Sequence, residues 1–266
     1  RQLLEGAGTD TQLDRFLSDS VALILAFPVA PANDPDNKVL LSELREFNPP
    51  LGLDLLVGGG TAEIVDVVDA IYGDFPLVAA AIVVTTYLLL MMLFRSVVLP
   101  LKAILMNVAS ILASYGALVW IFQDGHLHRL LGFTPQGFVE ASLPVILFCV
   151  LFGLSMDYEV FLLSRIQEEW DRTGDNDRAV AIGLQRSGRI ISSAALIVVV
   201  VTASFVTADV VLVKALGLGI ALAVALDATI IRALLVPATM KLLGAANWWM
   251  PRWLDRVLPG TNPLDR

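Results

Sequence analysis

The chain has 266 residues, 56% of them hydrophobic and 17% charged, with a mean hydropathy of +0.74. That is too apolar and too charge-poor for an ordinary soluble domain, so the composition excludes a water-soluble enzyme and predicts an integral membrane protein. The net charge of −8 averages over two sides of a membrane, gives no sign of a nucleic-acid partner and identifies no other.

The chain begins Arg1-Gln2-Leu3-Leu4, with neither an initiator methionine nor the basic, apolar and small-residue succession of a signal peptide. It reads as a piece that lacks a membrane-inserted N-terminal half. Residues 1–74 carry thirteen acidic and four basic side chains and predict a small, partial α+β lobe outside the membrane. Val21 to Val29 reads as a strand, Asp36 to Phe47 as a short helix and Leu53 to Val57 as a second strand, punctuated by Pro49-Pro50 and Gly58-Gly59-Gly60. Thr61 stands as a helix cap, with Glu63 and Asp66 placing negative charge in the first turns. Gly58-Gly59-Gly60-Thr61 lacks the lysine and spacing of a phosphate loop and reads as a turn.

Five apolar runs then reach the roughly 18 residues that a membrane crossing needs: about Phe75 to Phe94, Val97 to Phe122, Leu143 to Ser164, Ile190 to Ala208 and Val210 to Leu235. The expected fold is mainly α, a polytopic bundle of five transmembrane helices over residues 75–240 and an interfacial tail over residues 241–266. Basic residues of the short connections, Arg95 and Lys102, then Arg165, Arg172, Arg178, Arg186 and Arg189, and finally Arg232, Lys241, Arg252 and Arg256, put those segments and the tail in the cytoplasm and residues 1–74 outside a cell membrane. Residues 166–185 read as broken amphipathic pieces around Gly174 lying on the inner surface. Trp248, Trp249 and Trp253 with Arg252 read as an interfacial anchor. Cys149 is the one cysteine, which excludes an internal disulfide, and reads as a packed membrane thiol. His126 and His128, an i, i+2 pair without further ligands, read as surface residues, so neither a metal nor a cofactor is expected.

The chemistry centres on Gly153-Leu154-Ser155-Met156-Asp157-Tyr158-Glu159-Val160-Phe161-Leu162. An aspartate inside an apolar span costs roughly 2.5–3.5 kcal/mol on insertion scales and marks function by default. Asp157 lies about 14 residues into its span, or ~21 Å at the helical rise, and Asp227 reaches a similar depth on the last. Neither has an evident basic partner in the sequence, so each is a candidate proton-binding group or, alternatively, a hydrogen-bonding contact between helices. Tyr158 points about 100° round the helix from Asp157, Phe161 sits a turn below it, and Glu159 is expected near the inner surface in a solvated role. Asn107, Ser110 and Ser114, with Ser192, Ser193, Thr202 and Ser204, read as small interhelical contacts.

These residues resemble the C-terminal half of an MMPL-type transporter of the RND superfamily. Gly153 through Arg165 is similar to the family's signature on its tenth membrane helix, supported by Gly58-Gly59-Gly60-Thr61-Ala62, Ala225-Leu226-Asp227-Ala228-Thr229 and Trp248-Trp249-Met250-Pro251-Arg252-Trp253. The resemblance implies membrane helices eight to twelve of twelve and a porter-like outer lobe. It also implies proton-driven export of lipids or other hydrophobic molecules. It implies that Asp157 and Tyr158 form half of a proton relay, with Phe161 lining the region and Asp227 either joining it or packing elsewhere. The partners implied are membrane lipids, a hydrophobic substrate, protons and the N-terminal half that completes the relay; a homo-oligomer stays open. Two other readings stand beside it: an intramembrane aspartyl protease, against which the residues flanking both aspartates argue, and a non-transporting sterol-sensing-like scaffold.

Overall fold

The computed structural model describes residue 16, residues 20–50 and residues 52–257. Contacts divide the chain after Ala70 into two compact units. In the first, Asp34 caps helix α1 (Pro35–Glu46), accepting from the Asp36 amide at 2.9 Å, and a proline occupies its first turn, where no amide donor is needed. Asn37 ties the helix start back to the carbonyls of Ala30 and Pro31, and the Arg45 guanidinium forks onto Asp66 at 2.7 and 2.8 Å. The expected helix is therefore present, but the α+β lobe is not. Among the described residues no strand forms, only a lone bridge at Ala22. The apolar side chains read as strand faces are left bare, with Ile24 and Phe27 each 85% exposed and Leu56 94%. Apolar alternation makes a strand only where a neighbouring strand takes up the backbone donors, and among the described residues neither segment has one. Residues 1–15, 17–19 and 51 of the expected lobe and residues 258–266 of the expected tail lie outside the described residues.

Among the described residues five helices are long and apolar enough to cross a membrane, as the sequence predicts, and the chain is a multi-pass membrane protein. They are α2 (Gly60–Phe94); α3 (Val98–Leu118), lengthened by a π turn to Gln123; α5 (Ser142–Thr173); α6 (Asn176–Ala203), lengthened by a 3₁₀ turn to Thr207; and α7 (Val211–Leu226), which widens into a π segment, Asp227–Leu235, before continuing as α8 (Val236–Leu243) and a 3₁₀ turn to Trp248. A single turn, α4 (His128–Leu131), sits in the loop after α3, held by Lys214 donating to the carbonyls of Leu131 and Gly132.

The helices overrun the predicted spans because their amphipathic ends continue the same turns. Gly174, at φ 64°, ends α5, and Asp175 caps α6 by accepting from the Arg178 amide. The stretch expected to lie as broken pieces around Gly174 is thus a tight hairpin of two continuous helices. Ile166 and Ala179 are fully buried in it, and Gly183 allows the close approach, since a Cβ there would stand 2.5 Å from Ile166 Cγ1. Glu169, 1% exposed, draws Arg172, Arg178 and Arg186 around its carboxylate.

The bundle interior is built by α3, α5 and α7. Ser110 and Ser114 of α3 donate to the carbonyls of Ala223 and Gly219 on α7 at 3.3 and 2.8 Å, and Asn107 reaches the Phe152 carbonyl of α5 at 3.4 Å. These are interhelical contacts as expected. Those of α6 are not: Ser193, Thr202 and Ser204 bond carbonyls of their own helix, whose flank of Leu196, Ile197 and Val200 is over 60% exposed. Cys149 is likewise on an exposed face, not packed.

After α8 the chain folds back under the bundle. Asn247 is fully buried and donates to the carbonyls of Met240 and Gly244, Ser96 donates to the Asn247 carbonyl, and Trp248 stacks on Trp170 with ring centroids 5.1 Å apart. Of the three tail tryptophans, only Trp249 and Trp253 stay exposed. Helix α9 (Arg252–Val257) carries Asp255, which pairs with Arg95 at 2.6 Å.

Candidate functional site

Helix α5 carries two different stripes. Ile146, Val150, Gly153 and Asp157, at spacings of four, three and four, form an exposed face, while Phe152, Met156, Glu159, Leu163 and Ile166 form a buried one. At 100° per residue, the step of two residues from Asp157 to Glu159 turns the side chain about 200°, which sends the acids to opposite sides. Asp157 is exposed and, among the described residues, has no hydrogen-bond or ion-pair partner. Tyr158 and Phe161 are half-buried at the edges between the stripes, and the Arg165 guanidinium lies 5.6 Å from the Phe161 ring centre.

Asp227 faces the interior, 7% exposed, and the expectation that it lacks a basic partner is wrong. Arg232, 4% exposed, donates Nε to Asp227 Oδ2 at 2.8 Å and Nη2 to the Ser155 carbonyl and hydroxyl at 2.5 and 3.1 Å. Ser155 in turn donates its hydroxyl to Asp227 Oδ2 at 3.3 Å. The guanidinium also lies over the Tyr158 ring, 5.4 Å from its centre, and its Nη1 is 3.8 Å from Glu159 Oε2. Arg232 therefore joins Asp227, Ser155, Tyr158 and Glu159, linking α5 to α7 in the bundle interior.

Arg232 escapes a sequence reading because of the π segment. In an α-helix, residues five apart diverge by about 140°, so Asp227 and Arg232 do not look like partners. In a π-helix, hydrogen bonds close i to i+5, and the widened turn brings Arg232 back onto the face of Asp227. Glu159 was legible: its place in a buried apolar stripe with heptad-like spacing argues against the solvated role expected for it, and it is 4% exposed. Lys102, counted with the connecting-loop charges, is 6% exposed inside the bundle.

A small cavity lies between α3, α5 and α7, lined by Asn107, Ser110, Ser155, Tyr158 and Asp227 among apolar neighbours. Charged groups that meet inside a span of this depth are costly unless paired, and they mark pathways for ions or protons. His126 stacks on Trp120 and His128 bonds the Gly125 carbonyl. Among the described residues no group of three or more His, Cys, Asp or Glu side chains gathers as a metal site would require.

Five apolar spans enclosing a charge network make this a polytopic membrane protein with a polar core. The sequence profile of the MMPL family matches residues 33–259, and the chain belongs to that family. It is 42% identical over 245 residues to the trehalose monomycolate exporter MmpL3 of Mycobacterium tuberculosis, covering 87% of this chain and 26% of the relative. It is 45% identical over 203 residues to the mycolic acid-containing lipids exporter MmpL11 of Mycolicibacterium smegmatis (76% and 21%). A third relative is the membrane protein YdfJ of Bacillus subtilis, 37% identical over 241 residues (91% and 33%). The chain spans about a quarter of the length of the curated relatives it matches.

Proposed function

We propose that this chain supplies one half of the membrane domain of a proton-driven exporter of lipids or other hydrophobic molecules. Asp157 and Tyr158 are its share of the proton relay, Phe161 lines the same region, and the remaining relay groups come from a second half of the protein. The observation that carries this reading is the exposed stripe of α5: a carboxylate on an intramembrane helix that, among the described residues, has no ion-pair partner. Such a group is costly in lipid and becomes tolerable where another helix bundle covers it. In this reading residues 1–74 and the loop around His126 face outward, and the tail faces the cytoplasm.

Asp227 acts in this scheme as the anchor of Arg232 more than as a primary proton carrier. Its carboxylate accepts from the Arg232 guanidinium and the Ser155 hydroxyl, so it is already committed to both. The same pairing weighs against the aspartyl protease reading, which needs two uncommitted carboxylates sharing one water. Entry of one proton across about 100 mV releases roughly 2.3 kcal/mol, which the cycle couples to lipid movement.

The test is Asp157→Asn in the intact protein, reconstituted in vesicles with its lipid cargo and an imposed pH gradient. The expected result is loss of proton-coupled export with the folded protein still recovered from the membrane. Undiminished export would sink the relay.

A further inference from the structure

The charge network is well bonded on one side and bare on the other. Asp227, Ser155 and the Nε and Nη2 edge of Arg232 form a closed set of hydrogen bonds. Beyond that set, Glu159 Oε1, Arg232 Nη1 and, on α3, Lys102 Nζ are buried and, among the described residues, accept or donate no hydrogen bond. Three charged side chains, each more than nine-tenths buried, thus keep an atom without a hydrogen bond in the bundle interior, Arg232 Nη1 standing 3.8 Å from Glu159 Oε2.

A purely structural ion pair in a low-dielectric interior is expected to be satisfied on all edges, because an unpaired charged atom there is expensive. A buried polar group left without a hydrogen bond calls for a reason, and a catalytic role is one of the few that account for it. The charged groups acting on Glu159 are Arg232 and Asp227 from α7 and Lys102 from α3. With both carboxylates ionised, the two cations and two anions cancel. Arg232 is already committed to Asp227 by its shortest side-chain contact, 2.8 Å against 3.8 Å to Glu159. Glu159 is therefore the loosely held member, and Lys102 is the cation left to balance it.

We infer that Glu159 is a second proton-exchanging carboxylate of this bundle, about 3 Å further along α5 than Asp157 by helical rise, and that Lys102 is the positioning residue that compensates its charge. The inference rests on the proton-coupled reading above. In the exchange step the O–H bond of the neutral Glu159 carboxyl breaks and the proton passes to a water molecule. The electron pair stays on the carboxylate, whose charge Lys102 and Arg232 balance; reprotonation reverses the step. Lys102 touches no substrate and acts through Glu159.

The experiment compares Glu159→Gln, Lys102→Met, the double variant and Lys102→Arg in the intact protein, measuring thermal midpoint and pH-gradient-driven export in parallel. Each charge-removing single variant leaves one uncompensated charge and is expected to lower the midpoint; the double variant restores neutrality and the midpoint. Export is expected to fall at least tenfold in Glu159→Gln and to stay lost in the double variant, while Lys102→Arg keeps it. Recovery of export together with stability in the double variant would reduce the cluster to structural glue and overturn the inference. Should Glu159→Gln fail to fold, the wild type decides: a protonated-carboxyl infrared band that titrates and is missing from the double variant supports the inference, and its absence from the wild type overturns it. Asp157→Asn run alongside separates the two readings. Loss there with full export by Glu159→Gln leaves the relay standing and removes only the second site, whereas full export by Asp157→Asn removes the relay itself.

Discussion

Replacing Arg232 with methionine is the most direct perturbation of the buried network. Methionine matches the length and apolar volume of the arginine stem but removes the fork, deleting the bond to Asp227, both bonds to Ser155 and the ion pair to Glu159. Breaking a buried pair by removing one partner costs about 3–5 kcal/mol, because the other charge stays buried and uncompensated. At about 2–4 °C per kcal/mol for a domain of this size, the midpoint is expected to fall by about 6–20 °C. Differential scanning fluorimetry of the purified intact protein measures it directly. Arg232→Lys should fall in between, since it keeps the charge but cannot bond Asp227 and Ser155 at once. Asp227→Leu combined with Arg232→Met should recover much of the loss by removing the stranded carboxylate. A midpoint for Arg232→Met within about 2 °C of the parent would refute the claim that the guanidinium compensates buried acid.

Two further outcomes test the packing. Gly183→Ala places a Cβ 2.5 Å from Ile166 Cγ1 and 3.0 Å from the Ile166 backbone, which cannot give way as a flexible side chain would, so a loss of about 1–3 kcal/mol is expected from chemical denaturation. Asn247→Ala strands the Met240 and Gly244 carbonyls, with about 1–3 kcal/mol lost, and tryptophan emission should shift to the red as Trp248 leaves its stack on Trp170.

Apolar runs of sufficient length determine the number of spans and, with turn and cap residues such as Gly174 and Asp175, where several helices end. The Asp157-Tyr158 signature and the family it points to were also legible, because they depend on contiguous residues. The missing α+β lobe failed for the opposite reason: a strand needs partners, and period-two alternation at Val21 to Val29 carries no information about whether one is there. What only the tertiary structure decided is which charges face inward. Lys102 and Arg232 read from the sequence as cations of the short connections and the tail, and neither shows there which acid it meets; Glu159's buried stripe was legible, but not its cation. A π turn after Leu226 brings Arg232 onto Asp227, and the packing of α3 against α5 and α7 leaves Lys102 buried inside the bundle. Periodicity along a chain fixes the face of one regular helix; the charge that meets it belongs to another helix, or to a turn whose period has changed.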